Sequence, residues 1–248
     1  MLPVSILAAG HTDALCYGCD ILKQQGFSVT VDPSDQITHL LLPVPSFDDD
    51  SVIKGGEKLD ALLQKLPRDI TVIGGNLNLP SLAHYEQIDL LQDAQYLAIN
   101  ARITAYCAIS LAMDTLPCTL DRIPLLVVGW GRIGKCLAQL LQTLGADVTV
   151  AARKETDRAA LVSLGFKAVD IDGIIPQKYR LIFNTAPQML LPDCPDTVCK
   201  IDLASKPGIG GNGVIWARGL PNKLAPESSG QLIAERVISY LSERKGIA

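Results

Sequence analysis

Residues 125–145 read LLVVGWGRIGKCLAQLLQTLG, and the fold follows from how this stretch is read. A short apolar run ends at Gly129. The chain then passes through Gly129-Trp130-Gly131-Arg132-Ile133-Gly134 into a helical pattern with apolar residues at Ile133, Leu137, Leu140, Leu141 and Leu144. Residues 146–152 form a second apolar strand, so the unit is strand, glycine turn, helix, strand. Each glycine has its own reason: a tight turn at Gly129, close approach of a pyrophosphate at Gly131, and close packing of helix on strand at Gly134. The helix start adds free N–H groups and positive dipole. The expected cofactor contacts are therefore Gly129, Trp130, Gly131, Arg132, Ile133 and Gly134.

Working outward, the second strand runs into Ala152-Arg153-Lys154. A site that prefers NAD places a carboxylate here for the ribose 2′-hydroxyl, whereas a cation receives a 2′-phosphate. Arg153 can fork onto phosphate and Lys154 adds a point charge, so NADP(H) is expected over NAD(H). Glu155 comes a residue or two late for the acidic role. The strand at 180–183 ends in Asn184-Thr185-Ala186-Pro187, and Asn184, Thr185 and Pro187 are expected near the nicotinamide. The strand at 197–203 leads to Ser205 and Lys206, which would face the same crevice.

The chain has 248 residues, 48% hydrophobic and 19% charged, with a net charge of −4. That length and composition suit one large or two moderate α/β domains. No basic stripe exists to replace the counterions of nucleic acid, so a small molecule is the expected partner. The N-terminus lacks a basic leader pattern and no apolar run reads as a membrane span, so a soluble, cytoplasmic protein is expected. Seven cysteines, an odd number among apolar neighbours, read as reduced core residues. Cys16-Tyr17-Gly18-Cys19 has redox or zinc spacing, which Cys194 and Cys199 could complete, yet Leu15, Cys19 and Leu22 already make a helical core face. Asp48-Asp49-Asp50 reads as a solvated loop, and His11, His39 and His84 have no partner at metal-ligand spacing. No metal is expected.

Residues 1–99 read as a first α/β domain on the substrate side, with strands at 3–8, 27–31, 39–42 and 69–74, and helices up to Gln25 and around 57–66. Residues 96–99 read as a strand and 100–115 as an interdomain helix. Residues 116–225 read as the NADP-binding domain and 226–248 as a C-terminal helix packing back across the lobes, after an extended loop at 220–230. The expected architecture is α/β: two Rossmann-like lobes with mostly parallel sheets and a cleft between them. Loops at 42–46 and 73–76 follow strand ends and could wall that cleft or be ordinary turns. Asn100 and Thr104 lie one turn apart, where facing the cleft and bonding to their own helix are equally open readings.

Several of these stretches together resemble one family, the dipicolinate synthases, in their A subunit: LLLPVP from Leu40, NARITAYCAISLAM from Asn100, VVGWGRIG, LGADVTVAARK, FNTAP, IDLASKPG from Ile201, and LPNKLAPESSG from Leu220. Asn222 stands where the family pattern has glycine. The resemblance implies oxidation of a dihydrodipicolinate to pyridine-2,6-dicarboxylate in the mother cell of a sporulating bacterium. It also implies a partner, a flavoprotein-like B subunit; a homo-oligomer is compatible with it. Two substrate carboxylates would need donors. Arg102, Ser205, Lys206, Ser228 and Ser229 are the candidate donors, Pro43, Asn100 and Thr104 are further candidates for the substrate site, and no residue reads as catalytic acid or base.

Two other readings stand beside this one. A shikimate-type NADP dehydrogenase has similar ARK and NTAP loops, and a nucleotide-binding regulatory subunit would need no base. A 2-hydroxyacid dehydrogenase would want a histidine in the cofactor half, and none follows His84.

Overall fold

The computed structural model describes residues 4–48 and 51–245. Pro3, expected in the first strand, and Asp49 and Asp50 of the acidic loop lie outside them. The chain divides into two compact units, residues 1–100 with 221–248, and residues 101–220.

The first unit holds a five-stranded parallel sheet of β1 (Ser5–Ala8), β2 (Ser28–Thr30), β3 (His39–Leu41), β4 (Thr71–Gly74) and β5 (Glu86–Asp89), in the order β2-β1-β3-β4-β5. Sequence order reverses between β1 and β3, the point at which open α/β sheets form crevices. The central strands are apolar on both faces because both are covered. On one face Leu40, Leu42 and Val72 pack with Leu59 and Leu62 of α2 (Leu59–Leu63). The strand β5 escapes a reading by hydrophobicity because Glu86 and Gln87 are exposed and polar. It is an edge strand, pinned by Thr71 Oγ1 donating to Glu86 Oε2 at 3.0 Å.

Helix α1 (Asp13–Gln24) starts on Thr12, whose Oγ1 accepts from Leu15 N at 3.2 Å, and buries Ala14, Leu15, Gly18, Cys19 and Leu22. It packs on α7 (Pro226–Lys245). A Cβ on Gly230 would lie 2.5 Å from Ala14 O and 2.7 Å from Gly18 N, so the two helices meet backbone to backbone. This explains the glycine inside the Cys16–Cys19 motif by packing alone. Gly230→Ala should cost about 2–3 kcal/mol, because only backbone can give way. Urea denaturation would check it, and unchanged stability would mean that the helices are not so closely apposed.

Helix α3 (Ala94–Thr115) begins earlier than the sequence suggests. Residues 96–99 are its first turns rather than a strand. Asp93 accounts for this: its Oδ1 accepts from Gln95 N at 2.8 Å and Tyr96 N at 3.0 Å, while Oδ2 pairs with Arg236 at 2.6 Å. Burial works against the charged form of Asp93, but these hydrogen bonds and the guanidinium hold its carboxyl below the ordinary value. Asn100 is therefore inside the helix and not its cap. Among the described residues α3 is also the one helix long and apolar enough to cross a membrane, although the sequence shows no such run at first reading; Ala101, Ala105, Ala108 and Ala112 on it are buried.

The second unit is a six-stranded parallel sheet: β6 (Pro124–Val128), β7 (Asp147–Ala151), β8 (Lys167–Val169), β9 (Leu181–Asn184), β10 (Cys199–Asp202) and β11 (Val214–Trp216). Its order, β11-β10-β9-β6-β7-β8, is the doubly wound arrangement of two mononucleotide-binding halves. Helices α4 (Arg132–Thr143) and α5 (Glu155–Ser163) follow β6 and β7. The stretch expected to be an extended loop holds a short helix, α6 (Leu220–Leu224), ahead of α7.

A candidate dinucleotide site at the carboxyl end of the second sheet

In the second sheet sequence order reverses between β6 and β9, and the glycine turn lies there. Gly129 has φ +102, a conformation that favours glycine, and a Cβ on it would stand 2.6 Å from Thr185 Oγ1. A Cβ on Gly134 would stand 2.1 Å from Gly129 O, so α4 can sit this close to β6 only with glycine there. Gly131 differs from both. It caps α4 with extended backbone, no side chain caps the helix, and a Cβ on it would meet nothing within 4 Å. Its missing side chain leaves open space in front of unpaired N–H groups.

A cavity of about 450 Å³ opens at this turn. Gly129, Trp130 and Gly131 form one wall, Ala151 to Lys154 a second, and Ala186, Gln188 and Leu190 a third. Asp157, Asp170 and Ile171 also face it, as does Asp172. The Trp130 ring is held edge-on to Phe166 with centroids 5.9 Å apart, and Lys135 Nζ lies 5.7 Å from it. The small side chains of Ala151 and Ala152 occupy the end of β7, and Glu155 is exposed at the start of α5 outside the cavity. Arg132 and Ile133, expected at the cofactor, sit on the first turn of α4 and do not line it.

The residues after β9 need correction. Asn184, expected at the nicotinamide, is fully buried. Its Nδ2 donates to Ala186 O at 2.9 Å and Asp202 Oδ1 at 2.8 Å, and its Oδ1 accepts from Ala186 N at 3.1 Å. Thr185 Oγ1 donates to Val128 O at 2.9 Å. Neither residue lines the cavity; both side chains brace the loop after β9 behind it. Pro187 is exposed between the lining residues Ala186 and Gln188.

Asp202, which no local pattern singles out, organises this end of the sheet. It is fully buried, and its carboxylate accepts four hydrogen bonds: Asn184 Nδ2 and Ala204 N at Oδ1, Gly208 N at 2.6 Å and Ile209 N at 3.2 Å at Oδ2. One charge thus joins the loop after β9 to the loop after β10. Ser205 and Lys206 ride on the second loop, exposed, and Ala204 O accepts from Trp216 Nε1 at 3.0 Å. Arg102 and Thr104 belong to the same unit. Arg102 is exposed, with Nη2 at 3.5 Å from Tyr106 Oη, and Thr104 is buried.

The remaining substrate candidates lie in the first unit. Pro43 is buried and its carbonyl accepts from Ser46 Oγ at 2.8 Å, so the side chain is scaffold. Ser46 is itself fully buried and accepts from Gly75 N at 2.8 Å, which locks the loop after β3 to the loop after β4. Asn222, the departure from the family glycine, donates from Nδ2 to Val44 O at 3.2 Å in the same loop. Ser228 is exposed on α7. Ser229 is buried and bonds back to Ala225 O at 3.1 Å, because the Gly230 contact turns that face of α7 against α1; it cannot reach a substrate.

Known proteins share both the sequence pattern and this arrangement of sheets. The A subunit of dipicolinate synthase from Bacillus subtilis (strain 168) is 26% identical over 242 residues, spanning 85% of this chain and 80% of that protein. The chain resembles the A subunit of dipicolinate synthase. The crystal structure of the same protein from Bacillus halodurans superposes with a TM-score of 0.84 at 22% identity, over 97% of this chain and 99% of that one. A transhydrogenase from Sinorhizobium meliloti shares the fold at a TM-score of 0.69 and 14% identity, over 97% and 94%. No family model matches the chain. The fold class expected from the sequence, α/β with mostly parallel, Rossmann-like sheets, therefore holds.

Proposed function

We propose that the chain is an oxidoreductase of the dipicolinate synthase A type, binding NADP(H) in the cavity of the second unit and oxidising a dihydrodipicolinate to dipicolinate. The observation that carries the cofactor reading is the cationic corner at the end of β7. Arg153 and Lys154 line the cavity on the same side as Ala151 and Ala152, and no carboxylate occupies the last position of the strand. The cradle suits the group, since Gly131 leaves open space where a diphosphate would meet backbone N–H donors. The backbone of Gly129 to Gly131 and the start of α4 would hold the diphosphate, Arg153 and Lys154 the 2′-phosphate, and Trp130 the apolar flank.

When bound, the nicotinamide supplies the hydride acceptor. The chain's own contribution is to bind and orient. Loss of hydride and proton from a dihydropyridine creates an aromatic ring, which drives the reaction and removes the demand for a strong base. Lys206, Arg102 and Ser205 are the exposed donors of the second unit suited to substrate carboxylates. The relatives' name implies a B subunit, which with a cytoplasmic setting completes the reading.

Two measurements test it. Arg153→Ala should weaken NADPH binding about 10–100-fold, the worth of one or two charge-assisted hydrogen bonds, and change NADH binding by no more than about threefold. Calorimetric titration with both coenzymes reads this directly, and equal losses would remove Arg153 from the 2′-phosphate. The purified chain with a dihydrodipicolinate source and NADP+ should form NADPH and dipicolinate together. Turnover that emerges only when a second subunit is added would instead favour a regulatory nucleotide-binding role.

A further inference from the structure

The cavity poses an electrostatic difficulty for the reading above. Two cations line it, Arg153 and Lys154, against three carboxylates, Asp157, Asp170 and Asp172. A ribose 2′-phosphate brought into that surrounding would meet more negative than positive charge, while Asp170 at the end of β8 could accept hydrogen bonds from an unphosphorylated ribose.

Arg158, one turn into α5, alters this balance. Its Nη1 lies 2.5 Å from Asp170 Oδ2, and the same nitrogen donates to Ala152 O at 2.8 Å and Arg153 O at 2.7 Å. The pair is partly shielded, with Arg158 25% exposed and Asp170 43%. The other oxygen of Asp170 accepts from Asp172 N at 3.3 Å, so both oxygens are engaged within the protein. The two carbonyls belong to the residues that bring Arg153 and Lys154 to the cavity. All three acceptors gather at this one nitrogen, at the far end of the side chain; a lysine, one bond shorter, would not bring its nitrogen to the carboxylate and both carbonyls at once.

We infer that Arg158 is the residue that sets coenzyme preference, although it does not line the cavity. It neutralises Asp170, withdrawing an acceptor at the cavity that could receive a ribose hydroxyl, and it fixes the backbone from which Arg153 and Lys154 project. It is a positioning residue, acting through those three. The inference rests on the nucleotide site proposed above and adds the device that selects between the two coenzymes.

Titrating the full chain with NADPH and with NADH tests it. Arg158→Met should weaken NADPH roughly tenfold or more and NADH by no more than about threefold, because the freed Asp170 opposes only the extra phosphate. Asp170→Asn added to Arg158→Met should recover part of the lost NADPH affinity, since the uncompensated carboxylate is gone; no recovery would mean that Asp170 is not what opposes the phosphate and would overturn the inference. Should Arg158→Met fail to fold, Arg158→Lys carries the test: it keeps the charge, loses the grip on the two carbonyls, and should fall between Arg158→Met and the parent in preference. Preference between coenzymes is the deciding readout, because a merely structural role would lower both affinities together. Equal losses, or an unchanged preference, overturn the inference. An unsubstituted chain that binds neither coenzyme overturns the functional reading first, and so distinguishes the two failures.

Discussion

Asp202→Ala is expected to destabilise the protein by about 4 kcal/mol, a loss reserved for broken buried charge networks. The carboxylate is fully buried and satisfies four donors from Asn184, Ala204, Gly208 and Ile209. Removing it leaves those donors in a space that water cannot readily fill, at about 1–3 kcal/mol for each group left unpaired, less whatever the loops recover by relaxing. Gly208 limits that relaxation, since even a Cβ there would lie 2.2 Å from Asn184 Nδ2 and 2.8 Å from Gln188 O. Chemical denaturation measures the effect. A loss below about 1 kcal/mol would mean that the loops find other partners, and that the charge is not what joins them.

Gly131→Val should weaken coenzyme binding roughly 100-fold or more while costing only about 1 kcal/mol of stability, the difference between glycine and a branched residue at a helix N-cap. No atom lies within 4 Å of the added Cβ, so the fold tolerates it, and the side chain fills the space in front of the α4 N–H groups. Loss of two or three charge-assisted hydrogen bonds corresponds to roughly 100-fold or more in affinity. Gly134→Ala forms the contrast. Its Cβ would stand 2.1 Å from Gly129 O, a backbone atom, so α4 must shift; stability should fall by about 2–3 kcal/mol together with binding. Melting and titration of the two variants side by side separate steric exclusion of ligand from strain in the fold. Were Gly131→Val to bind both coenzymes normally, the cavity would not be the nucleotide site.

The glycine turn was legible because each of its requirements is local: Gly129 answers to a dihedral angle and Gly134 to the strand five residues before it. The doubly wound sheet follows from strands alternating with helices. What the sequence did not disclose depends on residues far apart in the chain. Asp202 acquires its meaning from a side chain 18 positions away, and Arg158 from a carboxylate beyond the next strand. Ser229 looks like a free hydroxyl until α7 is docked on α1, after which it is interior. The start of α3 is not legible in the sequence because an apolar run at 96–99 fits strand and helix alike, and only the capping bonds of Asp93 decide between them. Strand β5 carries no hydrophobic signature because an edge strand need not be apolar.

The discontinuity of the first unit bears on how the protein is made. Residues 101–220 are contiguous and can close as soon as they leave the ribosome, whereas the glycine face of α1 waits for a helix emitted some two hundred residues later. Vectorial synthesis therefore allows the later unit to finish before the earlier one. Until Gly230 and Ile233 have been made, Gly18 lacks its cover. A chain that stops before Gly230 would keep residues 101–220 whole and leave the glycine face of α1 uncovered.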